Sequence, residues 1–285
     1  MTRILALCAD DYGVAPGVSA GILRLAKVER LSAISCITNS PHWPEQAPHV
    51  SDLPKSVDVG LHLNFTEGAP LSQRLARRWP TLPSLATLIA RAHLGLLPIA
   101  ELRGEVHAQL RAFLHGHGVA PAYIDGHQHV HHLPGLRDAI LDVAEHVQPL
   151  PAVRSTAHLI GPGHGFKRWV IEATGGRRLE RALLERVMAF NPSLLGAYDF
   201  RESDYGALMR AWLEALPPDG GLLFCHPGTR LADDPPDAIA DARERELAYL
   251  SSAAFTDDLR EADVVLGRVW RTVNPRVNPR TSSDD

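Results

Sequence analysis

Short β-rich runs alternate along this chain with longer segments of helical period. The candidate strands are residues 4–9, 32–38, 57–63, 122–125, 152–155, 221–226 and 264–270. Between two of them, an apolar stripe with the three- and four-residue spacing of a helix is formed by Ile99, Leu102, Val106, Leu110 and Phe113. This alternation favours βα units around a mostly parallel sheet. No G-x-G-x-x-G motif follows the first run, so we predict an α/β fold of the (β/α) barrel type, a distorted TIM-like variant, rather than an open dinucleotide-binding sheet.

The 285 residues suit one barrel domain, which we place at residues 1–273. Residues 68–100 are rich in proline and leucine, and we expect a helical excursion over one end of the sheet. Residues 274–285 lack any periodicity and are expected to be a disordered tail.

Charge and apolar runs narrow the class of protein further. The net charge of -4 provides no basic field for a nucleic acid. The first apolar run is too short for a signal peptide, and no run approaches the roughly 20 residues of a membrane span. Cys8, Cys36 and Cys225 lie far apart within apolar runs, as expected of reduced core residues. We therefore expect a cytoplasmic protein.

Polar residues able to bind a metal or move protons end five of the candidate strands. They are Asp10, Asp11, His62, Asp125, His127, Arg154 and His226. The carboxyl ends of parallel strands and the loops after them converge on one face, so these side chains should share a site. None is specific alone, but their coincidence indicates a functional site.

The stretch "CADDYG" places two carboxylates next to each other. On a regular strand Asp10 and Asp11 would point to opposite faces, so both reach one site only if the strand bends, which Gly13 permits. The alternative is that one aspartate caps the next helix.

The stretch "GLHLNFTEG" places His62 on the polar side of an alternating strand. Gly60 is expected to clear space beside the ring, and Asn64 adds a polar group at the strand end. A lone histidine in such a strand is also compatible with a hydrogen-bonded core residue.

The stretch "DGHQHVHH" holds four histidines within residues 127–132. If the strand stays extended, one face carries Asp125, His127, His129 and His131. Gln128 and His132 would then face away. Only some of these side chains can be metal ligands, and an aspartate two residues before a ligating histidine could orient its ring. A solvated loop is the alternative.

Taken in chain order, several motifs resemble those of the YdjC family of carbohydrate deacetylases, the ChbG/HpnK group. The motifs are "ADDYG" at 9–13, "GLHLNFTEG" at 60–68, "IDGHQHVHHLP" at 124–134, "VR" at 153–154, "CHPG" at 225–228 and "ARERELAYL" at 242–250. One departure is Gln128, where many relatives have a histidine. The resemblance implies a barrel related to polysaccharide deacetylases and a metal-dependent enzyme that removes an acetyl group from an N-acetylated sugar.

The resemblance also assigns roles to particular residues. It implies Asp11, His62 and His127 as metal ligands and Asp10 as the catalytic base. His226 is the candidate general acid, and Arg154 would orient Asp10 or the substrate. Asp125 would orient the ring of His127, while His129 and His131 would line the mouth of the site. Asn64, like Asp125 and His129, would support the ligands or contact the substrate.

The resemblance points to magnesium as the metal, although two imidazoles and one carboxylate also suit zinc or another divalent ion. The expected substrate is an N-acetylated saccharide or a glycolipid. A homodimer is left open.

Other functions share some of these features. Two histidines and one carboxylate also form the iron site of oxygenases, but those enzymes usually have β-sandwich folds. Metal-dependent phosphoesterases and amidohydrolases use barrels, with an H-x-H pair at the first strand where this chain has Asp10 and Asp11. A non-catalytic sugar-binding protein is the remaining alternative.

Overall fold

The structure is a computed structural model that describes residues 2–162 and 169–272. Its strands are β1 (Arg3–Tyr12), β2 (Ala33–Cys36), β3 (Asp58–Leu63), β4 (Tyr123–Gly126), β5 (Ala152–Val153), β6 (Leu194–Leu195), β7 (Gly221–Cys225) and β8 (Val264–Leu266). Nearly all of these residues are buried, because helices cover the sheet.

Helices separate the strands, as the alternation predicts. They are α1 (Pro16–Ala26), α2 (Trp43–Gln46), α3 (Gln73–Arg78), α4 (Leu85–His93), α5 (Ile99–His117), α6 (Leu136–Ala144), α7 (Arg177–Glu185), α8 (Tyr205–Ala215), α9 (Ala240–Ser251) and α10 (Ala253–Glu261). Short 3-10 turns at Ala47–Asp52 and His127–His132 and a π turn at Glu172–Gly176 complete the described elements.

Local sequence signals set several helix ends. The hydroxyls of Ser72 and Ser84 accept hydrogen bonds from backbone N–H groups in the first turns of α3 and α4. Helix α5 follows the apolar stripe beginning at Ile99 and ends at His117, and its C-cap Gly118 has a left-handed φ of 82°. Both α3 and α4 lie in the expected excursion of residues 68–100.

The strands form one parallel sheet in the order β5-β4-β3-β2-β1-β7-β6, with β8 also paired to β1. Parallel bridges from Val153 to Phe190 and from Leu159 to Leu194 link the two edges. The sheet therefore curls, and the prediction of an α/β barrel variant is confirmed.

One described strand was not predicted from the sequence. Strand β6 is absent from the sequence prediction, because its two residues are too short a run to recognise. The predicted tail at 274–285 lies outside the described residues.

Among the helices of the described part, none is both long and apolar enough to cross a membrane.

Candidate metal centre

A cavity of about 620 Å³ opens at the carboxyl ends of the central strands. Strands β1, β3 and β7 bring Asp10, Asp11, His62 and His226 to its wall, and the turn after β4 brings His127. Five predicted site residues therefore line one cavity. This is the arrangement expected for a functional site at the carboxyl face of a barrel.

An irregularity in β1 directs both of its aspartates into this cavity. Between Ala9 and Tyr12 the chain advances three residues, whereas the paired stretch of β2 from Ile34 to Cys36 advances two. The extra residue is a β-bulge, and Asp11 adopts a left-handed φ of 71° there. Gly13 follows with a φ of 89°. The predicted bend is confirmed.

The capping alternative for the aspartate pair is wrong. Helix α1 begins at Pro16 with Ala15 as its N-cap, and no side chain caps it. Asp10 and Asp11 are instead 3% and 1% exposed at the cavity wall, where burial of a carboxylate requires compensating contacts.

Asp11, His62 and His127 bring three candidate ligand atoms within 4.8 Å of one another. Asp11 Oδ1 lies 3.6 Å from His62 Nε2 and 3.0 Å from His127 Nδ1. Ligands bound to one divalent ion at roughly 2.0–2.2 Å are themselves about 3 to 4 Å apart. The side chains present therefore fit a divalent cation held by one carboxylate and two imidazoles.

A further carboxylate contacts the other nitrogen of each imidazole. His62 Nδ1 lies 2.6 Å from Asp125 Oδ1, and His127 Nε2 lies 3.2 Å from Glu67 Oε1. Such partners fix ring orientation in metal sites. The expectation that Asp125 orients His127 is wrong, because β3 and β4 pair His62 directly with Asp125.

Opposite charges shift the pKa values of Asp11 and His127. Burial alone would raise the pKa of Asp11, but Arg243 and His127 hold this pKa well below its ordinary value. Burial would lower the pKa of His127, but Asp11 and Glu67 raise it to about 10.

Arg154 joins the two buried carboxylates behind the cavity. Its guanidinium donates to both oxygens of Asp10, at 2.6 and 2.7 Å, and lies 2.6 Å from Asp125 Oδ2. The predicted contact between Arg154 and Asp10 is present. Because Asp125 also contacts His62, one guanidinium connects Asp10 to the candidate metal site.

A second trio with metal-ligand chemistry, Cys8, Asp10 and Asp125, surrounds the same guanidinium. Arg154 Nη2 lies 3.1 Å from Cys8 Sγ, so the arginine already supplies the positive charge there. Burial raises the pKa of the Cys8 thiol, which therefore stays protonated. Cys8, Cys36 and Cys225 are all free and buried, as predicted.

The space beside His62 is used differently from the prediction. A Cβ on Gly60 would lie 2.3 Å from the ring of Tyr123, so this glycine makes room for the tyrosine. Tyr123 then reaches the hydroxyl of Ser35 at 2.8 Å and the thiol of Cys8 at 3.0 Å.

The histidine run turns instead of continuing as a strand. Strand β4 ends at Gly126, and Gln128 and His129 have left-handed φ values of 54° and 60°. The face assignment based on an extended strand is therefore wrong for part of the run. Gln128 lines the cavity and donates to Glu67 Oε1 at 3.1 Å.

The remaining histidines of the turn divide between cavity and core. His129 lines the cavity and packs edge-on against Phe224, with ring centroids 4.9 Å apart. His132 also lines the cavity, contrary to prediction, and contacts the hydroxyl of Thr174 at 2.7 Å. His131 does not line it, since its ring is buried against the carbonyl of Arg154, and burial lowers its pKa to about 4.

His226 sits at the end of β7 on the cavity wall, in agreement with its predicted position. Its backbone N–H donates to Glu246 Oε2 at 2.5 Å, and the Tyr198 hydroxyl donates to Glu246 Oε1. Glu246 on α9 therefore holds the backbone that carries His226.

Glu246 should make stability depend on pH. Burial raises its pKa from 4.5 to about 7, against the opposing hydrogen bonds from Tyr198 and the His226 N–H. Between these two pH values the carboxyl group is protonated only in the folded state. The free energy of unfolding should therefore fall as pH rises through this window, by roughly 3 kcal/mol from this group.

The measurement is urea unfolding of Glu246→Gln and wild type at pH 5 and pH 8. We expect the variant to gain stability over wild type on going to pH 8. Glu244→Gln in the same helix is the matched control, since the Glu244 side chain is 48% exposed. Parallel pH curves for Glu246→Gln and wild type would contradict the prediction.

Asn64 does not line this cavity, and its predicted role in supporting the ligands or contacting the substrate stays a prediction. Its amide donates to Asn39 Oδ1 and to the carbonyl of Glu67, while its oxygen accepts from the N–H groups of Thr66 and Glu67. Asn64 therefore shapes the loop that positions Glu67.

Three residues of the site were missed from the sequence. Glu67 stands in the "GLHLNFTEG" motif, and Arg243 and Glu246 stand in "ARERELAYL". Arg243 Nη2 donates to Asp11 Oδ2 at 2.8 Å. Charged residues in a loop or helix usually face solvent, so their position alone did not mark these three residues as part of the site. The only available signal was that they stand within the two motifs.

Fold and site together define a parallel (β/α) barrel protein with a carboxylate–imidazole centre at its strand ends. A family model described as "YdjC-like protein" matches residues 4–261. The chain belongs to this family, and the resemblance seen in its motifs is confirmed.

Two curated relatives give the level of similarity. A carbohydrate deacetylase of Danio rerio is 31% identical over 149 residues, covering 47% of this chain and 44% of the relative. A chitooligosaccharide deacetylase of Proteus mirabilis (strain HI4320) is 31% identical over 138 residues, covering 46% and 51%. The match thus spans about half the length of each relative.

Among solved structures, a protein from Enterococcus faecalis V583, provisionally named a cellobiose-phosphate cleavage protein, has a TM-score of 0.73. The comparison covers 94% of this chain and 98% of that one at 18% identity. At this identity the likeness establishes the shared fold.

Proposed function

We propose that this protein is a metal-dependent carbohydrate deacetylase, which hydrolyses the acetamide of an N-acetylated sugar and releases acetate. The observation that carries the proposal is the convergence of Asp11, His62 and His127 beside Asp10 in one cavity. The names of the curated relatives support the same activity.

Asp11, His62 and His127 would hold the cation, for which magnesium is our first candidate from the family and zinc or another divalent ion the alternative. When bound, such an ion lowers the pKa of a water and polarises the acetamide carbonyl. Arg243 and Arg154 balance the buried carboxylates and keep them in place.

Asp10 is the proposed general base, because it is a buried carboxylate at the cavity wall next to Asp11. It would accept the proton of the attacking water while Arg154 fixes its two oxygens. His226, on the wall at the end of β7, would donate a proton to the leaving nitrogen. His129 and Gln128 would contact the sugar.

Another metal-dependent barrel hydrolase is the alternative, and a non-catalytic sugar-binding protein is the least favoured one. The complete set of candidate ligands, base and acid argues for catalysis.

We also propose that the substrate is a saccharide or a glycolipid and that the protein is cytoplasmic. We propose that the chain forms a homodimer, which light scattering can test.

Acetate release tests the proposed activity. Metal-stripped protein should be inactive on a panel of N-acetylated sugars and should regain acetate release when one divalent ion is restored. Phosphate esters and amides without a sugar serve as the comparison substrates. Hydrolysis of these substrates in place of the N-acetylated sugars would contradict the proposal.

A further inference from the structure

The excursion at residues 68–100 differs in charge from the rest of the chain. It contains four arginines and one histidine but no aspartate or glutamate, whereas the whole chain has a net charge of -4. The arginines are Arg74, Arg77, Arg78 and Arg91. Such a segment presents a local positive field on an acidic protein.

Large apolar side chains of the same segment face solvent. Leu94 is 71% exposed, Leu96 is 61% exposed and Leu71 is 42% exposed. The first two lie in the turn after α4, where the N–H groups of Leu94 and Leu96 bond to Ala90 and Arg91. This turn therefore holds two leucines outward on an ordered backbone.

The arginines and leucines lie close to each other. The Arg91 guanidinium stacks 5.4 Å from the centre of the Trp79 ring, so the last turn of α4 meets the end of α3. Arg77 and Arg78 form that end of α3, and within the described residues they make no ion pair. We name this surface, made of Arg77, Arg78, Arg91, Leu94 and Leu96, the basic leucine surface.

The same excursion also forms part of the catalytic cavity. Leu85 and Ile89 of α4 line the cavity, and α4 packs on the His127–His132 turn. Ile89 is about one helical turn from His93, the last residue of α4, so the exposed end of the helix lies close to a cavity-lining residue. Whatever binds the exposed end is held near the cavity.

We propose that the basic leucine surface binds membranes that contain anionic lipids. Arginines attract the negative headgroups, and Leu94 and Leu96 enter the boundary between headgroups and acyl chains. A second copy of this chain fits less well, because a symmetric dimer through this surface would bring arginines against arginines. A nucleic acid would leave the exposed leucines without a contact.

Binding to vesicles tests this surface without any substrate, so the result does not depend on the proposed deacetylase activity. Wild type should sediment with phosphatidylcholine vesicles that contain phosphatidylglycerol, and much less with phosphatidylcholine alone or at high salt. Each arginine at an anionic surface contributes about fivefold in binding. Arg77→Glu/Arg78→Glu should therefore weaken sedimentation by at least about 25-fold.

The leucines are tested by Leu94→Ser/Leu96→Ser, which should weaken binding by about tenfold or more. Matched controls lie at the far end of α1, which runs from the carboxyl ends of the strands to the opposite side. Arg24→Glu/Lys27→Glu carries the same charge change, and Val28→Ser changes a side chain that is 63% exposed. Both controls should bind as wild type does.

Three results would overturn the proposal. The first is the absence of sedimentation of wild type with anionic vesicles. The second is an equal loss of binding in the control variants. The third is a fall in molar mass of Leu94→Ser/Leu96→Ser in light scattering, which would make the surface a contact between copies of this chain. Circular dichroism establishes that each variant is folded.

Discussion

Replacing Asp10 by asparagine should reduce acetate release by about 100- to 10,000-fold, because general-base help is worth that much. The amide has the shape of the carboxylate but cannot accept the proton. The candidate ligands Asp11, His62 and His127 are unchanged, so the affinity for the divalent ion should stay close to that of wild type.

The neighbouring residue provides the matched comparison. Asp11→Asn makes the same chemical change one position along the chain, but it removes the carboxylate that lies 3.0 Å from His127 and 3.6 Å from His62. Calorimetric titration with the activating ion should show binding by Asp10→Asn and greatly weakened binding by Asp11→Asn. Loss of metal binding in both variants would refute the division of roles between the two aspartates.

Replacing Arg154 by methionine should lower the free energy of unfolding by about 3 to 5 kcal/mol. Arg154 is fully buried, and its guanidinium contacts the carboxylates of both Asp10 and Asp125. Removing it leaves two buried negative charges near each other without their cation. Urea unfolding at neutral pH measures the loss.

Arg103→Met is the control for this prediction. Arg103 pairs with Asp142 at 2.6 Å, but both side chains are more than 40% exposed, and such a pair contributes at most about 1 kcal/mol. Adding Asp125→Asn to Arg154→Met should recover part of the lost stability, because one buried charge is removed. A loss in Arg154→Met no larger than that in Arg103→Met would contradict the buried charge network.

Much of the fold followed from local patterns in the sequence. The apolar stripe from Ile99 to Phe113 became α5, and the β-rich runs became seven of the eight strands that the structure describes. Polar residues at strand ends were brought to one cavity because a parallel sheet places its carboxyl ends on one face. The pattern of Asp10 and Asp11 correctly indicated a bend in β1.

Contacts between distant segments could not be read in the same way. The assignment of Asp125 to His127 assumed that β4 stays extended, whereas the left-handed Gln128 and His129 turn the chain after Gly126. The pairing of Asp125 with His62 depends on strand register, which no local pattern encodes. Glu67 and Arg243 reach the site from a loop and a helix, where charged residues ordinarily face solvent.

The bulge in β1 has a consequence for how this protein could change under selection. A non-glycine residue held in the left-handed region usually lowers stability by about 1 kcal/mol or more. Asp11 occupies that region and is also the only carboxylate of the candidate ligand trio. Glycine at this position would remove the backbone strain, but it would also leave the buried Arg243 guanidinium without the carboxylate that lies 2.8 Å away. Selection for heat resistance alone would therefore keep the aspartate, so the side chain that could hold a metal is retained for stability as well.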